Sequence, residues 1–339
     1  MRPKYTTIKD IAKALDISVA TVSRALRDTH DVSPETRDKV LAVAAALNYK
    51  PNFNATGLVH QSTHHLGVLI PTITNYYFST VITGMQEVAH QHGFNLVLYL
   101  TNDSPEREQR IVQNLVRTSL DGLLACVSSR AAEYNHFQEL LDESMPLVFF
   151  DRVPDDTIKT SKVVQDDYEG AFKAVEHLIQ SGYTKIAHIT GPKGLQLTEN
   201  RAQGYLDALR KYNLPVRSDW LIYSGFSQQE GEMDAEKLLE SRDRPDAVFA
   251  VNDRKAVGAI LVLKRKGIRV GKEIGVMGFT NDPISEIVSP TLSTVAEPAY
   301  ELGRASCQLL LNQLKKNTFV QEQVVLRSQL VARASTQRI

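Results

Sequence analysis

Ser18-Val19-Ala20-Thr21-Val22-Ser23-Arg24 places a guanidinium, three hydroxyls and small apolar side chains within two helical turns. A guanidinium so placed can donate two hydrogen bonds to guanine O6 and N7, a contact that discriminates bases by about 1–3 kcal/mol, and methyl-bearing side chains can meet a thymine methyl. Val19 and Ala20 cannot hydrogen-bond, so base choice would rest on Arg24, Thr21 and duplex shape. These residues must be held at the start of a helix, and the flanking sequence supplies one. Thr7 can cap a first helix with Asp10 closing a capping box, and Ile8, Ile11, Ala12 and Leu15 fall on one face. Asp16-Ile17 forms the turn, and Ser18 caps the second helix, with Val22 and Leu26 inward and Val19, Ala20 and Arg24 outward. A third helix starts at Ser33 with Pro34 at its first position, Glu35 near its positive end, and Val40, Val43, Ala44 and Leu47 as its apolar face. The pattern predicts a helix-turn-helix that reads the major groove of DNA.

Asn48-Tyr49-Lys50-Pro51-Asn52 follows, then Ala55 and Leu58. With Thr21-Val22-Ser23-Arg24 before it, this order and spacing resembles the lactose-repressor/galactose-repressor (LacI/GalR) family of bacterial transcription regulators. The resemblance implies a hinge over residues 51–63 and adds Thr7, Ser18, Ser23, Asn52, Ala55 and Leu58 to the candidate DNA contacts. Asn52 to Val59 is too short for a stable isolated helix, which needs roughly 12–15 residues, and Gly57 weakens it by about a further 1 kcal/mol. It should order only when two copies pack on DNA. Leu58 matches the family's minor-groove wedge, which kinks the duplex, or else simply packs within the hinge. Arg27 stands where the family often has asparagine, and its role is open.

A chain of 339 residues suits two or three domains. Its formal charge is zero, but residues 1–60 carry nine Lys/Arg against six Asp/Glu, so the basic surplus sits on the expected reader. That surplus is modest, and affinity should depend on dimerisation and specific contacts as well as on phosphate attraction. Two cysteines, Cys126 and Cys307, make no disulfide framework, and no close Cys/His pair suggests zinc. No apolar stretch suggests a signal peptide or membrane span, which leads to an expected cytoplasmic location, nucleoid-associated when bound to DNA.

Beyond residue 64, short apolar runs alternate with amphipathic helical segments. The runs are Leu66–Ile70, Asn95–Tyr99, Gly122–Cys126, Leu147–Phe150, Lys185–Ile189, Ala247–Val251 and Ile274–Gly278. Such runs predict parallel sheets buried on both faces. The polar stretch Asp151 to Lys162 divides them, predicting two doubly wound lobes with a cleft between. The expected architecture is therefore α/β. A three-helix DNA-binding domain covers 1–50, a hinge and linker 51–63, and a periplasmic-binding-protein-like effector and dimerisation domain 64–339. Its first lobe would take about 64–161 and 292–320, and its second about 162–291 and 321–339.

Ligands bind open parallel sheets beyond the carboxyl ends of the strands, which points to the polar loops there. By resemblance, Asp151, Arg201 in Asn200-Arg201-Ala202-Gln203-Gly204-Tyr205, and Asn252 in Asn252-Asp253 hold a small effector. Phe226 matches an aromatic against it, and Asn75 and Phe78 match the first-lobe loop. Ser128 and Thr280 complete the candidate set. From the residues alone, Arg201 could equally be a solvated helix arginine, and Asp253 a helix cap. Gly278-Phe279-Thr280 departs from the sugar-responsive pattern, where an aspartate follows Gly-Tyr or Gly-Phe, and this leaves the effector class open.

The expected function is a sequence-specific transcriptional regulator, a repressor by resemblance, that binds a pseudo-palindromic operator as a homodimer or tetramer and is controlled by a sugar or sugar derivative in the cleft. The rival is a transporter's solute-binding protein, since the two-lobed body suits either; the reader and the missing export signal separate them. Asp151, His188 and Ser128 would be the raw material of an enzyme, but no Gly-x-Ser-x-Gly elbow, phosphate loop or metal cluster accompanies them. His188 lies in an apolar strand and reads as a core residue. No cofactor, metal or membrane partner is expected.

Overall fold

The structure, a computed structural model, describes residues 6–26, 31–49, 62–131, 133–154, 157–316 and 321–338. The chain divides into two compact units, residues 1–63 and 64–339. In the first, α1 (Ile8–Leu15), α2 (Val19–Leu26) and α3 (Pro34–Ala46) enclose a small core of Ile11, Ala12, Val22, Ala25, Val40 and Ala44. The Asp10 carboxylate accepts from both the N–H and the hydroxyl of Thr7, at 2.8 Å each, fixing the start of α1. Asp16 ends it in the left-handed region at φ 54°, a conformation that a short polar side chain tolerates. Ser33 accepts from the Thr36 N–H, with Pro34 following at the first helical position. Leu47 departs from its expected inward place. It stands one residue beyond α3 and is 39 % exposed, because the helix has ended before its face returns to the core. Arg27 and the hinge residues Asn52, Ala55 and Leu58 lie outside the described residues.

The second unit starts with a six-stranded parallel sheet of order β11-β5-β4-β3-β1-β2. Its strands are β1 (His65–Ile70), β2 (Asn95–Leu100), β3 (Gly122–Ala125), β4 (Leu147–Phe150), β5 (Ser161–Gln165) and β11 (Gln323–Leu326). Alternate residues of one strand feed opposite cores, as a period of two requires. Leu66, Val68 and Ile70 meet α4 (Tyr76–Gln91) and α12 (Ala299–Lys316), while Leu69, Leu123 and Phe149 meet α5 (Pro105–Leu115) and α6 (Asn135–Asp142). Helices α4 and α12 touch backbone to backbone, since a Cβ on Gly84 would lie 2.1 Å from the Tyr300 carbonyl oxygen and one on Gly303 2.0 Å from that of Val81.

The second lobe holds a parallel sheet of order β7-β6-β8-β9, made of β6 (Ile186–Thr190), β7 (Leu221–Tyr223), β8 (Ala247–Ala250) and β9 (Gly275–Met277). α9 (Gln228–Glu240) and α10 (Asp253–Arg265) cover one face, and α7 (Asp167–Gln180) and α8 (Gln196–Lys211) the other. The short helix α11 (Ile284–Ile287) follows β9, and β10 (Thr294–Ala296) pairs antiparallel with β12 (Gln329–Val331).

Two segments lie in the opposite lobe from the one the sequence predicts. Residues 162–165 and β11, expected in the second lobe, belong to the first lobe's sheet, where Lys162 pairs with Gln323 and Val163 with Val324. Residues 294–296, expected in the first, lie with the second, because Val295 joins its core. The polar stretch after Asp151 is thus a loop between adjacent strands, and the chain crosses between lobes after β5, after β10 and after β11. The crossings are tied together. Asp166 accepts from the N–H and hydroxyl of Ser328, at 2.7 and 2.6 Å, and its own N–H donates to the Leu326 carbonyl at 2.9 Å. Among the described residues no helix is long and apolar enough to cross a membrane.

Candidate functional site

In the N-terminal unit, the Ser18 hydroxyl accepts from the Thr21 N–H at 3.0 Å and pairs with the Thr21 hydroxyl at 2.8 Å, capping α2. Ser18, Val19, Ala20 and Arg24 are exposed on the first turns of that helix, Thr21 and Ser23 are half-buried, and Val22 is fully inside. An exposed guanidinium beside two apolar side chains, on a helix anchored by a buried face, is an arrangement that can enter a groove and touch base edges. Thr7 is exposed at the start of α1, its side chain engaged by Asp10.

Within the second unit, a cleft of about 600 Å³ lies between the lobes. Asn75, Phe78, Asp151, Arg201, Phe226, Asn252 and Thr280 all line it. Five non-glycine residues in the described loops of the cleft hold a positive φ: Asn102 at 53°, Asp103 at 58°, Asp151 at 59°, Thr280 at 125° and Asn281 at 60°. For a β-branched threonine this is a genuine outlier, and such strain gathers at ligand sites. Gly278 is required by close approach, because a Cβ there would fall 2.0 Å from Asp253 Oδ1.

Each expected residue has a distinct environment. Asp151 accepts the Tyr77 hydroxyl at 2.8 Å and the Cys126 thiol at 3.5 Å. Burial and the Asp151 charge push both donors well above their ordinary pKa values, so they stay protonated. Arg201, far from being solvated, is 3 % exposed. It donates to Asp167 at 2.7 Å, to the Val251 carbonyl at 2.6 Å and to Glu297, and lies 3.7 Å over the Phe279 ring. Asn252, not Asp253, caps α10: its Oδ1 accepts from the Lys255 N–H at 2.8 Å, and its Nδ2 donates to the Phe226 carbonyl at 3.1 Å. Asn75 caps α4 through the Tyr77 N–H at 2.9 Å. Most of the polar groups named from sequence therefore also build the walls.

Ser128 does not line the cleft. It is fully buried, with its N–H donating to Glu108 at 2.6 Å and its hydroxyl to Thr101 at 3.4 Å. Its neighbour Ser129 lines the cleft and donates from N–H and hydroxyl to Asp103 at 2.9 and 2.6 Å, a side change expected of adjacent extended residues. His188 is a core residue, stacked 4.5 Å from Phe249, with Nδ1 2.9 Å from the Phe249 carbonyl. Burial lowers its pKa to about 3, so it stays neutral.

Further charged residues in and behind the walls lie outside the expected set. Glu297, at the crossing after β10, accepts from Arg201, Gln165 and the Thr280 hydroxyl, and burial raises its pKa despite the arginine. Asp253 accepts the Thr294 hydroxyl at 2.6 Å and the Asp282 N–H at 2.7 Å, and burial lifts its pKa to about 7. Asp167, behind the wall, is likewise pushed by burial to about 7 although Arg201 pulls it down. Arg152 pairs with Asp103 at 2.8 Å and lies 4.6 Å over the Phe226 ring from the opposite lobe. Arg130 and Glu230 also face each other across the rim at 3.9 Å.

Two family models match, one for bacterial regulatory proteins of the lacI family over residues 7–52 and one for a periplasmic binding protein-like domain over residues 175–336. The chain is similar to the transcriptional repressor PurR of Vibrio vulnificus, 30% identical over 98% of this chain and 99% of that protein. It is also similar to the ribose operon repressor of Halalkalibacterium halodurans, 32% identical over 98% of this chain and 97% of the relative. A solved structure of the Lac repressor dimer bound to operator and an anti-inducer superposes with a TM-score of 0.84 at 26% identity, covering 98% of this chain and 99% of that one. Likeness of this extent spans the helical unit and both lobes together, so the chain belongs to the LacI family of bacterial regulatory proteins, transcriptional regulators that are not enzymes.

Proposed function

We propose that this regulator is a cytoplasmic repressor that binds a pseudo-palindromic operator as a homodimer and is switched by a small carbohydrate held between its lobes. The Lac repressor relative is a dimer on operator DNA, and two copies of one reader related by a two-fold axis call for a symmetric site. Arg24, flanked by Val19, Ala20, Thr21 and Ser23, reads bases, while Thr7 and Ser18 sit at helix starts that face phosphates. Asn52, Ala55 and Leu58 belong to a hinge ordered on DNA, with Leu58 as its wedge.

The observation that carries the effector reading is the pairing of Phe78 and Asp151 on one wall with Phe226 and Asn252 on the other. Aromatic faces and hydrogen-bonding groups converging in one cavity suit a hydroxylated ring. A ligand touching both walls favours the closed arrangement and shifts the DNA-competent population. The test is a full cycle. Operator affinity is measured with and without a sugar found by thermal shift, and sugar affinity with and without operator. The two ratios must agree, at a coupling of about 1–3 kcal/mol. Selection from random DNA should return inverted repeats; tandem or asymmetric sites would remove the two-fold model.

A further inference from the structure

The lining of the cleft is unbalanced in charge. Among the described residues six acids face it, Asp103, Asp151, Glu230, Asp253, Asp282 and Glu297, against four arginines and no lysine or histidine. The arginines are already engaged. Arg201 is shared between Glu297 and Asp167, Arg152 is paired with Asp103 and laid on Phe226, Arg254 donates to the Thr74 carbonyl at 3.0 Å, and Arg130 stands at the rim beside Glu230. Asp151 accepts hydrogen bonds from the neutral donors of Tyr77 and Cys126.

An anion reaching the walls of this space would have to draw Arg201 from Glu297 and Asp167, leaving two buried acids without their cation, or compete with Asp103 for Arg152, whereas Arg254 and Arg130 stand at the rims. A hydroxyl, or an ammonium, can instead donate to Asp151 and Glu297 as they stand.

We propose that the cleft is selective by charge: it takes a polyhydroxylated ring that is uncharged or carries an ammonium group, and it excludes sugar acids and sugar phosphates. This rests on the reading of the cleft as a carbohydrate site. The test uses the full-length protein and a panel in which several pentoses and hexoses appear as parent sugar, amino sugar, sugar acid and phosphate ester, scored by thermal shift and then by calorimetry. Stabilisation should come from parent and amino forms, with the acid and phosphate of the same ring weaker by about tenfold or more. In Glu297→Gln, the penalty on the acid form relative to its parent should shrink, an effect that a purely structural Glu297 would not produce. Tighter binding of a sugar acid or phosphate than of its parent overturns the charge assignment while leaving a sugar-controlled regulator intact. If nucleobases or amino acids stabilise the protein and no sugar does at millimolar concentration, the carbohydrate reading falls and this proposal falls with it.

Discussion

Arg254 of the second lobe donates from Nη2 to the Thr74 carbonyl of the first at 3.0 Å. With Arg152 over Phe226 and Arg130 beside Glu230, it joins opposite rims of the cleft, so the lobes are held together by polar contacts that can break. Arg254→Ala should remove about 1 kcal/mol of closure, roughly a fivefold shift toward open forms. Small-angle scattering of the free protein should show a larger radius of gyration, and an unchanged radius would make the contact incidental.

Arg201→Ala should destabilise the protein by about 3–5 kcal/mol, because it strands Asp167 and Glu297 inside without their shared cation. Urea unfolding reads this directly. Loss of effector response in that variant would therefore not prove that Arg201 touches the ligand. Wild-type stability in Arg201→Ala would mean that the two carboxyls are already protonated.

Asp253 gives a stability profile with a definite sign. Its folded-state pKa, about 7, lies above the ordinary aspartate value, so the folded protein binds more protons than the unfolded chain between the two. The associated stabilisation is complete below the ordinary aspartate range and is lost as pH rises through about 7. Asp253→Asn should flatten that part of the profile, leaving the similar contribution of Asp167. Unfolding free energies across this pH window, equal in slope for mutant and wild type, would rule the assignment out.

Arg24→Ala should cost about 1–3 kcal/mol per half-site and flatten base preference at one symmetric operator position. Ser18→Ala should instead cost about 1 kcal/mol of stability through the lost cap on α2, with base preference retained. Competition binding against scrambled DNA distinguishes the two, and unchanged specificity in Arg24→Ala would take that residue out of the reader.

The sequence made the reader legible because caps and a buried stripe recur at helical spacing: Thr7, Ser18 and Ser33 each begin a helix where expected. The doubly buried strands were equally plain as apolar runs. Strands β5 and β11 were not, since Ser161-Lys162-Val163-Val164-Gln165 and Gln323-Val324-Val325-Leu326 mix polar with apolar residues and resemble loop as much as sheet. The lobe boundaries failed with them. In the cleft, loop position after a strand correctly put Asp151, Asn252 and Thr280 on the wall, but it could not tell Ser128 from Ser129, which differ only in the side they face. Glu297 could not be found that way, because it follows an antiparallel strand at a crossing and not the end of a parallel one.

The return of the chain to the first lobe bears on how the protein is made. Leu302, Cys307 and Leu310 of α12 fill the first lobe's core, and β11 completes its sheet, although both come from the last part of the chain. Emerging from the ribosome, that lobe exposes the apolar face formed by Leu66, Val68, Leu124 and Val148 until the second lobe has been synthesised. The small N-terminal unit can fold early, while the body must wait for its own end, and the interval between them is when the nascent chain is most open to aggregation and most dependent on chaperones.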